Sequence, residues 1–364
     1  PMQDKIRTAL KEDIAQPLYV NPDAKDVYGF GKEAARLARL CLVAEEMGDQ
    51  TSHGQAISAL TVQLEPWLSA TNAAVDPGLG AGSGALAYDV TYGGLVTKSG
   101  IMNKAADYGN GQYNDHHFQY GYLIYAIAVA CKNNAGICEQ HRGAVSDIMR
   151  DIARPPEDDQ SGRFPMARCK DLYDGHSWAS GLFPLVDGKS QESSSEAVNA
   201  YYAVSLLASV VGDGAMERWA KLLLAMEIRS VQKYWHVPSD SNIYDKGFVG
   251  ESRMVGVVGA SDAICATWFG GKLEYVHGIN IMPVTPITEA LLPAAYVKEE
   301  YEQLAGDIAN MDPAWVGFAV AAHAIIDPAT AVKEVDQIKQ YDNGNSRTNM
   351  LYWVATRPTP PAHS

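Results

Sequence analysis

The chain has 364 residues, 47% of them hydrophobic, and a formal net charge of −14 from 43 acids against 29 bases. That is apolar material for one large domain or two ordinary ones. An acidic chain with no basic run argues against nucleic acid and anionic membranes, which need clustered Lys and Arg. Its aromatics are skewed, with 19 Tyr and 7 Trp against 7 Phe. Tyr and Trp have apolar faces and polar edges that suit a wet groove stacking flat ligands, although ordinary packing accounts for them equally well.

The cysteines are Cys41, Cys131, Cys138, Cys169 and Cys265, and only Cys131 and Cys138 lie near each other. No CxxC pair is present, so structural zinc is not expected, and the odd count says little about compartment. The start, PMQDKIRTAL, is not a signal peptide, and its abruptness suggests part of something longer. No apolar stretch has the length and continuity of a membrane-spanning helix.

In chain order, KEAARLARLCLVAEEMG (32–48) puts Ala35, Leu37, Leu40, Cys41 and Ala44 on one broad face and predicts a helix. SHGQAISALTVQLEPWLSA (52–70) predicts a second, capped by Thr51 or Ser52. ALAYDVTYGGLV (85–96) is the best strand signal, its glycines indicating a hairpin. Further helices are predicted near 119–133, 141–153, 193–211, 214–235, 286–305, 313–326 and 329–340. Long loops at 72–84, 154–191, 236–260 and 270–285 separate them, and ordered loops of such length are usually functional. With no linker or short repeat, the expectation is one mainly α domain: a ring of helix pairs with long loops on one face.

Two stretches carry candidate chemistry. YNDHHFQYGY (113–122) places Asp115, His116 and His117 among aromatics at the mouth of an apolar helix. DLYDGHSWASGLFPLVDGKSQESSSEAVNAYYAV (171–204) puts Asp174 and His176 in a turn beside Trp178, then Glu192 and Glu196 at i and i+4 on one side of a helix start, with Asn199 three residues on. A helix N-terminus favours ionised carboxylates. Ser193 followed by Glu196 also fits a capping box, an alternative that leaves Glu196 purely structural. Three carboxylates among aromatics suit glycosidic hydrolysis, in which one protonates the leaving oxygen and another activates water or attacks the sugar. Metal is a weaker reading: neighbouring helical histidines diverge by about 100°, and no HExxH is present. DHH also labels a phosphoesterase family, but that family needs Asp motifs after β-strands. His53, His141, His236, His277 and His323 read as structural, with His236 and His277, in aromatic loops, as candidates to line a groove. The Gly pairs at 93–94 and 270–271 lack a nucleotide-binding context.

At these residues the sequence resembles glycoside hydrolase family 81, the endo-β-1,3-glucanases. YNDHHFQYGYLIYAIAV is similar to the family's YNDHHFHYGYFIYAAAV. YGFGKEAARLARL, YDVTYGGLV, ADYGNGQYNDHHF, YDGHSWASGLF, QESSSEAVNAYYAV, EIRSVQKYWH, YVHGINIMPVTPITEALL and YDNGNSRTNMLYWVATR follow in family order. The resemblance spans roughly residues 22–357. It implies an (α/α)6 barrel carrying a substrate groove, with residues 1–364 as a single catalytic domain and the family's N-terminal β-sandwich and small α/β subdomain expected to be absent. It implies endo-hydrolysis of β-1,3-glucan by an inverting mechanism. Asp115 matches the general acid, Glu192 the general base and Glu196 its close partner, the assignment between the two glutamates being open.

An inverting pair stands about 6.5–9.5 Å apart, with a raised pKa on the acid and an ionised base. Tyr28, Lys32, Asp89, His116, Asp174 and His176 match positions that face the glucan or support the acids, and Gln119 and Asn199 join them as candidate substrate-binding residues. Gln119, Ser190 and Tyr92 depart from the family's usual His, Asn and Trp. If the missing histidine sets the pKa of Asp115, Gln119 should shift the pH optimum. No metal or cofactor is expected, and a monomer is. A wall-polymer substrate places the protein outside the cell or in the cell wall. The alternative is a β-glucan-binding module without turnover.

Overall fold

The structure is a computed structural model and describes residues 2–17, 26–69, 86–158, 162–183 and 188–358. Twelve helices build it: α1 (Met2–Ala15), α2 (Val27–Glu46), α3 (Gln50–Ser69), α4 (His116–Asn133), α5 (Arg142–Ala153), α6 (Ser194–Val211), α7 (Gly214–Tyr234), α8 (Leu273–Ile279), α9 (Ala294–Ala305), α10 (Val316–Ile326), α11 (Pro328–Val335) and α12 (Arg347–Ala355). Among the described residues, six shorter helical segments lie at Lys98–Met102, Ala135–Gln140, Lys246–Glu251, Thr288–Leu291 and, as 3-10 turns, around Ala106–Gln112 and Ile308–Asn310.

Alternate helices form an inner ring, α2, α4, α6, α8, α10 and α12, and α12 packs back on α2 to close it. Around it α3 packs on α2, α5 on α4, α7 on α6, and both α9 and α11 on α10, while the first helix of the chain, α1, covers the last inner helix, α12. This is an (α/α)6 barrel, as expected from the sequence. The inner position explains the composition. In α4 every residue from His116 to Cys131 is buried, and a helix that is apolar on all sides needs neighbours on all sides. Small residues let the inner helices approach: a side chain on Gly121 would meet the Ala200 backbone of α6 at 2.7 Å.

Two small antiparallel sheets attach to one end of the ring. β1 (Leu86–Asp89) and β2 (Gly94–Thr97) form the expected hairpin, with Leu86 opposite Thr97 and Asp89 opposite Gly94. β3 (Ser190–Gln191), β4 (Val257–Gly259) and β5 (Ala263–Ile264) form a three-stranded sheet in that order.

The structure departs from the sequence reading in several places. The helix expected at 286–305 breaks into Thr288–Leu291 and Ala294–Ala305, because Pro293 has no N–H to continue it. Asp49, not Thr51 or Ser52, caps α3, its carboxylate accepting the Ser52 N–H at 3.0 Å. The expected loop 270–285 contains the inner helix α8, and 236–260 contains Lys246–Glu251 and β4. The helix α12 carries too little periodic apolar pattern to be foreseen, whereas α1, which buries Ile6, Ala9, Leu10 and Ile14 at helical spacing, carries a legible pattern that the sequence reading passed over. The expected loop 72–84 lies outside the described residues. Cys131 and Cys138 form a disulfide at the end of α4. Among the described residues, no helix is long and apolar enough to cross a membrane.

Candidate active site

A cavity of about 440 Å³ opens at the starts of the inner helices. Its residues come from segments far apart in sequence: Tyr28 and Lys32 from α2, Asp115 and Gln119 at α4, Glu192 and Glu196 at α6, Trp268 and Phe269 before α8, Trp315 at α10, and Asp342 before α12. A more open depression of about 700 Å³ between α1 and the start of α3 carries Arg7, Lys11 and Asp49 but no aromatic wall. The converging carboxylates and aromatics make the first cavity the candidate site.

Asp115 is the N-cap of α4, yet its side chain does not cap it. The backbone there is left-handed, with φ of 58°, and so are Asp107, Tyr108 and Tyr113 before it. Such backbone is sparsely populated by L-residues, although Asp tolerates it better than most. This strap is tied down from outside: Ala179 O accepts the Asp115 N–H at 2.9 Å, and the Ala179 N–H donates to Ser190 O at 3.0 Å. The carboxyl is thereby turned toward the cavity and away from the helix amides. Desolvation, together with the charges of Glu196 and Glu192, raises its pKa well above the ordinary carboxylate range.

Glu192 follows β3, whose backbone is paired with β4. Its carboxylate accepts the Trp268 N–H at 2.7 Å. Burial drives its pKa up to about 7, the Trp268 bond pulling down and the Glu196 charge pushing up. Glu196 lies one turn into α6 and is 3% exposed. It accepts the Tyr28 hydroxyl at 2.9 Å. Burial raises its pKa too, opposed first by the Lys32 ammonium and also by the Tyr28 bond. Lys32 in turn donates to Asp342 at 2.6 Å and lies 5.3 Å from the Tyr28 ring centroid. The capping box does not form: the Ser193 hydroxyl donates to Ile279 O, and no side chain caps α6. Glu196 is free to serve the cavity.

Of the residues singled out from sequence, Asp115, Glu192, Glu196, Tyr28, Lys32 and Gln119 meet in this cavity. Gln119 is 1% exposed and held at both ends, by Asn110 and by Asp107 O. His116, Asp174, His176, Asp89 and Asn199 do not line it. His116 is fully buried between Asp151, at 2.7 Å, and Asn110 O, at 2.8 Å. His176 is packed among Trp178, Tyr234 and Trp235. Asp174 offers its backbone carbonyl to Ser230. Asp89 accepts Tyr113 OH at 2.9 Å, and Asn199 is buried in α6. These groups build the frame around the cavity and do not touch its space.

His116 and His117 point to different partners, the latter to Gln191 at 2.8 Å, as helical neighbours must. Among the described residues no cluster of three or more His, Cys, Asp or Glu could hold a metal ion. Sequence reasoning missed Trp268, Phe269, Trp315, Tyr108, Met282 and Asp342. The adjacent aromatics of ATWFGG, set before turn glycines, were the available signal.

The sequence profile of the Glycosyl hydrolase family 81 C-terminal domain matches residues 1–354. A glucan endo-1,3-beta-D-glucosidase of Glycine max is 33% identical over 360 residues, which cover 97% of this chain and 52% of that protein. The primary septum glucan endo-1,3-beta-D-glucosidase of Schizosaccharomyces pombe is 32% identical, over 96% of this chain and 33% of its own length. The solved glycoside hydrolase family 81 structure from Clostridium thermocellum superposes with a TM-score of 0.83 at 27% identity, covering 97% of this chain and 47% of that one. The chain therefore spans between a third and about half of the relatives it matches.

Proposed function

The chain belongs to glycosyl hydrolase family 81, and from that premise we propose that it cleaves internal β-1,3-glucosidic bonds of β-1,3-glucans with inversion at the anomeric carbon. The observation that carries this reading is the meeting of Asp115, Glu192 and Glu196 in one aromatic-walled cavity. Asp115 supplies the proton. Burial and the two neighbouring carboxylates raise its pKa and favour the protonated form, from which it can donate to the glycosidic oxygen as that bond breaks. Glu192 takes a proton from water, and the water oxygen attacks the anomeric carbon from the opposite face. Glu196, anchored by Tyr28 and balanced by Lys32, adds negative charge beside Glu192 and strengthens it as a base. Trp268, Phe269 and Trp315 offer faces on which sugar rings stack.

The resulting pH dependence follows from the raised carboxylates. The base must be ionised, so kcat/KM rises with pH through about 7, and it falls only where Asp115 loses its proton. A base half-protonated at pH 7 differs from the ionised base expected from sequence, because burial outweighs the single Trp268 bond. A wall-polymer substrate and the Cys131–Cys138 disulfide support an extracellular or cell-wall location, since disulfides persist in oxidising surroundings.

Incubation with laminarin, followed by NMR of the anomeric protons, tests the proposal. Early α-anomer is the expected result. Early β-anomer would overturn inversion, and binding without any product would leave a glucan-binding domain in place of an enzyme.

A further inference from the structure

Behind the cavity wall lies a buried ionic network that the proposed chemistry does not use. Lys170, from the loop after α5, and Glu227, from the outer helix α7, pair at 2.6 Å with both side chains at 0% exposure. Their hydrogen-bonding capacity is filled. The ammonium also donates to Gly175 O and Leu223 O. One carboxylate oxygen accepts the Ser177 hydroxyl as well as Lys170, and the other accepts the Ser177 N–H and the Gln191 amide N–H at 3.1 Å. Burial opposes the charge on Glu227, yet Lys170 and the neighbouring donors, the Ser177 N–H among them, together outweigh it and hold the carboxyl below its ordinary pKa.

An ionised Glu227 can only accept, so it orients the Gln191 amide with its N–H groups inward. The Gln191 carbonyl then faces His117, whose Nε2 must carry the proton across the 2.8 Å bond. The other His117 nitrogen is buried without a partner, consistent with a neutral ring whose pKa burial lowers to about 4. Gln191 immediately precedes Glu192, and His117 sits two residues after Asp115. The side-chain bond thus spans the two sides of the cleft.

We infer that Gln191 is a positioning residue that, clamped by the buried Lys170–Glu227 pair and bonded to His117, holds Glu192 and Asp115 at a fixed mutual separation and angle. The backbone bonds through Ala179 and the close packing of α4 on α6 already join the two sides. The Gln191–His117 bond adds a side-chain anchor next to the reacting groups themselves, where it restricts the local rotation that the backbone contacts leave. In-line displacement with an interposed water is sensitive to such rotation, because small misplacements of reacting groups cost large factors in rate.

This inference rests on the proposed assignment of Asp115 and Glu192. Its test compares Gln191→Met, His117→Phe and the double variant in the full chain. Each single change leaves a buried polar atom unpaired and risks the fold, whereas the double change removes both partners and keeps similar volume. The measurements are kcat and KM on laminarin, together with the thermal midpoint. The expected result is a loss of tenfold or more in kcat for the double variant, with KM within about threefold and a native-like midpoint. Single-variant losses should not multiply, since the two residues form one link. A double variant with wild-type kcat, or a loss confined to KM or to the midpoint, would overturn the positioning role alone. A wild-type chain that leaves laminarin intact would overturn the proposed activity and this role with it.

Discussion

The strap at 107–115 and the first turn of α6 both present carboxyls to the same cavity, but they shift them by opposite means. The strap holds Asp115 through its backbone. Left-handed residues and the Ala179 bond aim a carboxyl that no donor among the described residues stabilises, so desolvation and two nearby acids favour its protonated form. In α6, Glu196 sits in regular helix and is held through its side chain, by the Tyr28 hydroxyl and the nearby Lys32 charge. Glu192 stands between these extremes, with a single backbone donor. On the proposed assignment, an acid is made by withholding donors and a base by supplying them, and the two treatments share one cleft.

Three substitutions sharpen or break that comparison. The largest effect is expected from Asp115→Asn, which keeps the shape and removes the proton. Turnover of laminarin should fall by about 10³-fold or more, while oligosaccharide binding, followed by tryptophan fluorescence, stays within a few-fold. Retained turnover would show that the strap does not deliver the acid.

Next is Glu192→Gln, read out as stability. The folded-state pKa of about 7 lies above the ordinary 4.5, so the folded chain binds this proton more tightly than the unfolded one. The carboxylate therefore costs nothing below about pH 4.5 and its full amount above about pH 7, on the order of 3 kcal/mol. The variant should lose activity yet melt at a higher temperature than wild type at pH 8, the gap closing toward pH 4.5. Equal melting at both pH values would mean that burial does not strain Glu192.

The smallest effect belongs to Tyr28→Phe. Loss of one hydroxyl donor to a charged group should lower kcat about tenfold and move the acid limb of the pH–rate profile downward, because a less readily ionised Glu196 pushes the Glu192 pKa up less. An unmoved limb would separate Glu196 from the base.

Much of the site was readable in the sequence, and for identifiable reasons. Asp115, Glu192 and Glu196 lie in contiguous stretches whose residue order resembles a known family, and Tyr28 and Lys32 come with them. Distances and facing directions were not readable. His116 stands beside Asp115 in the chain, yet it turns into the protein toward Asp151. Trp315 and Asp342 carry no local mark that separates a cavity wall from a loop, and only the adjacent aromatics of ATWFGG point to Trp268. The inner helix α8 was read as loop because seven residues with flanking glycines show too little periodicity.

The sequence by itself determined which segments are helical through most of the ring, since apolar period and burial on all sides leave few other structures for stretches such as α4 and α6. It also determined which carboxyls are available. Only the tertiary structure decided what those carboxyls do. A pKa depends on the groups brought within a few ångströms from other helices: Trp268 beside Glu192, Tyr28 and Lys32 beside Glu196, and neither for Asp115. Those neighbours are set by the closing of the ring, which places the starts of its inner helices around one cavity.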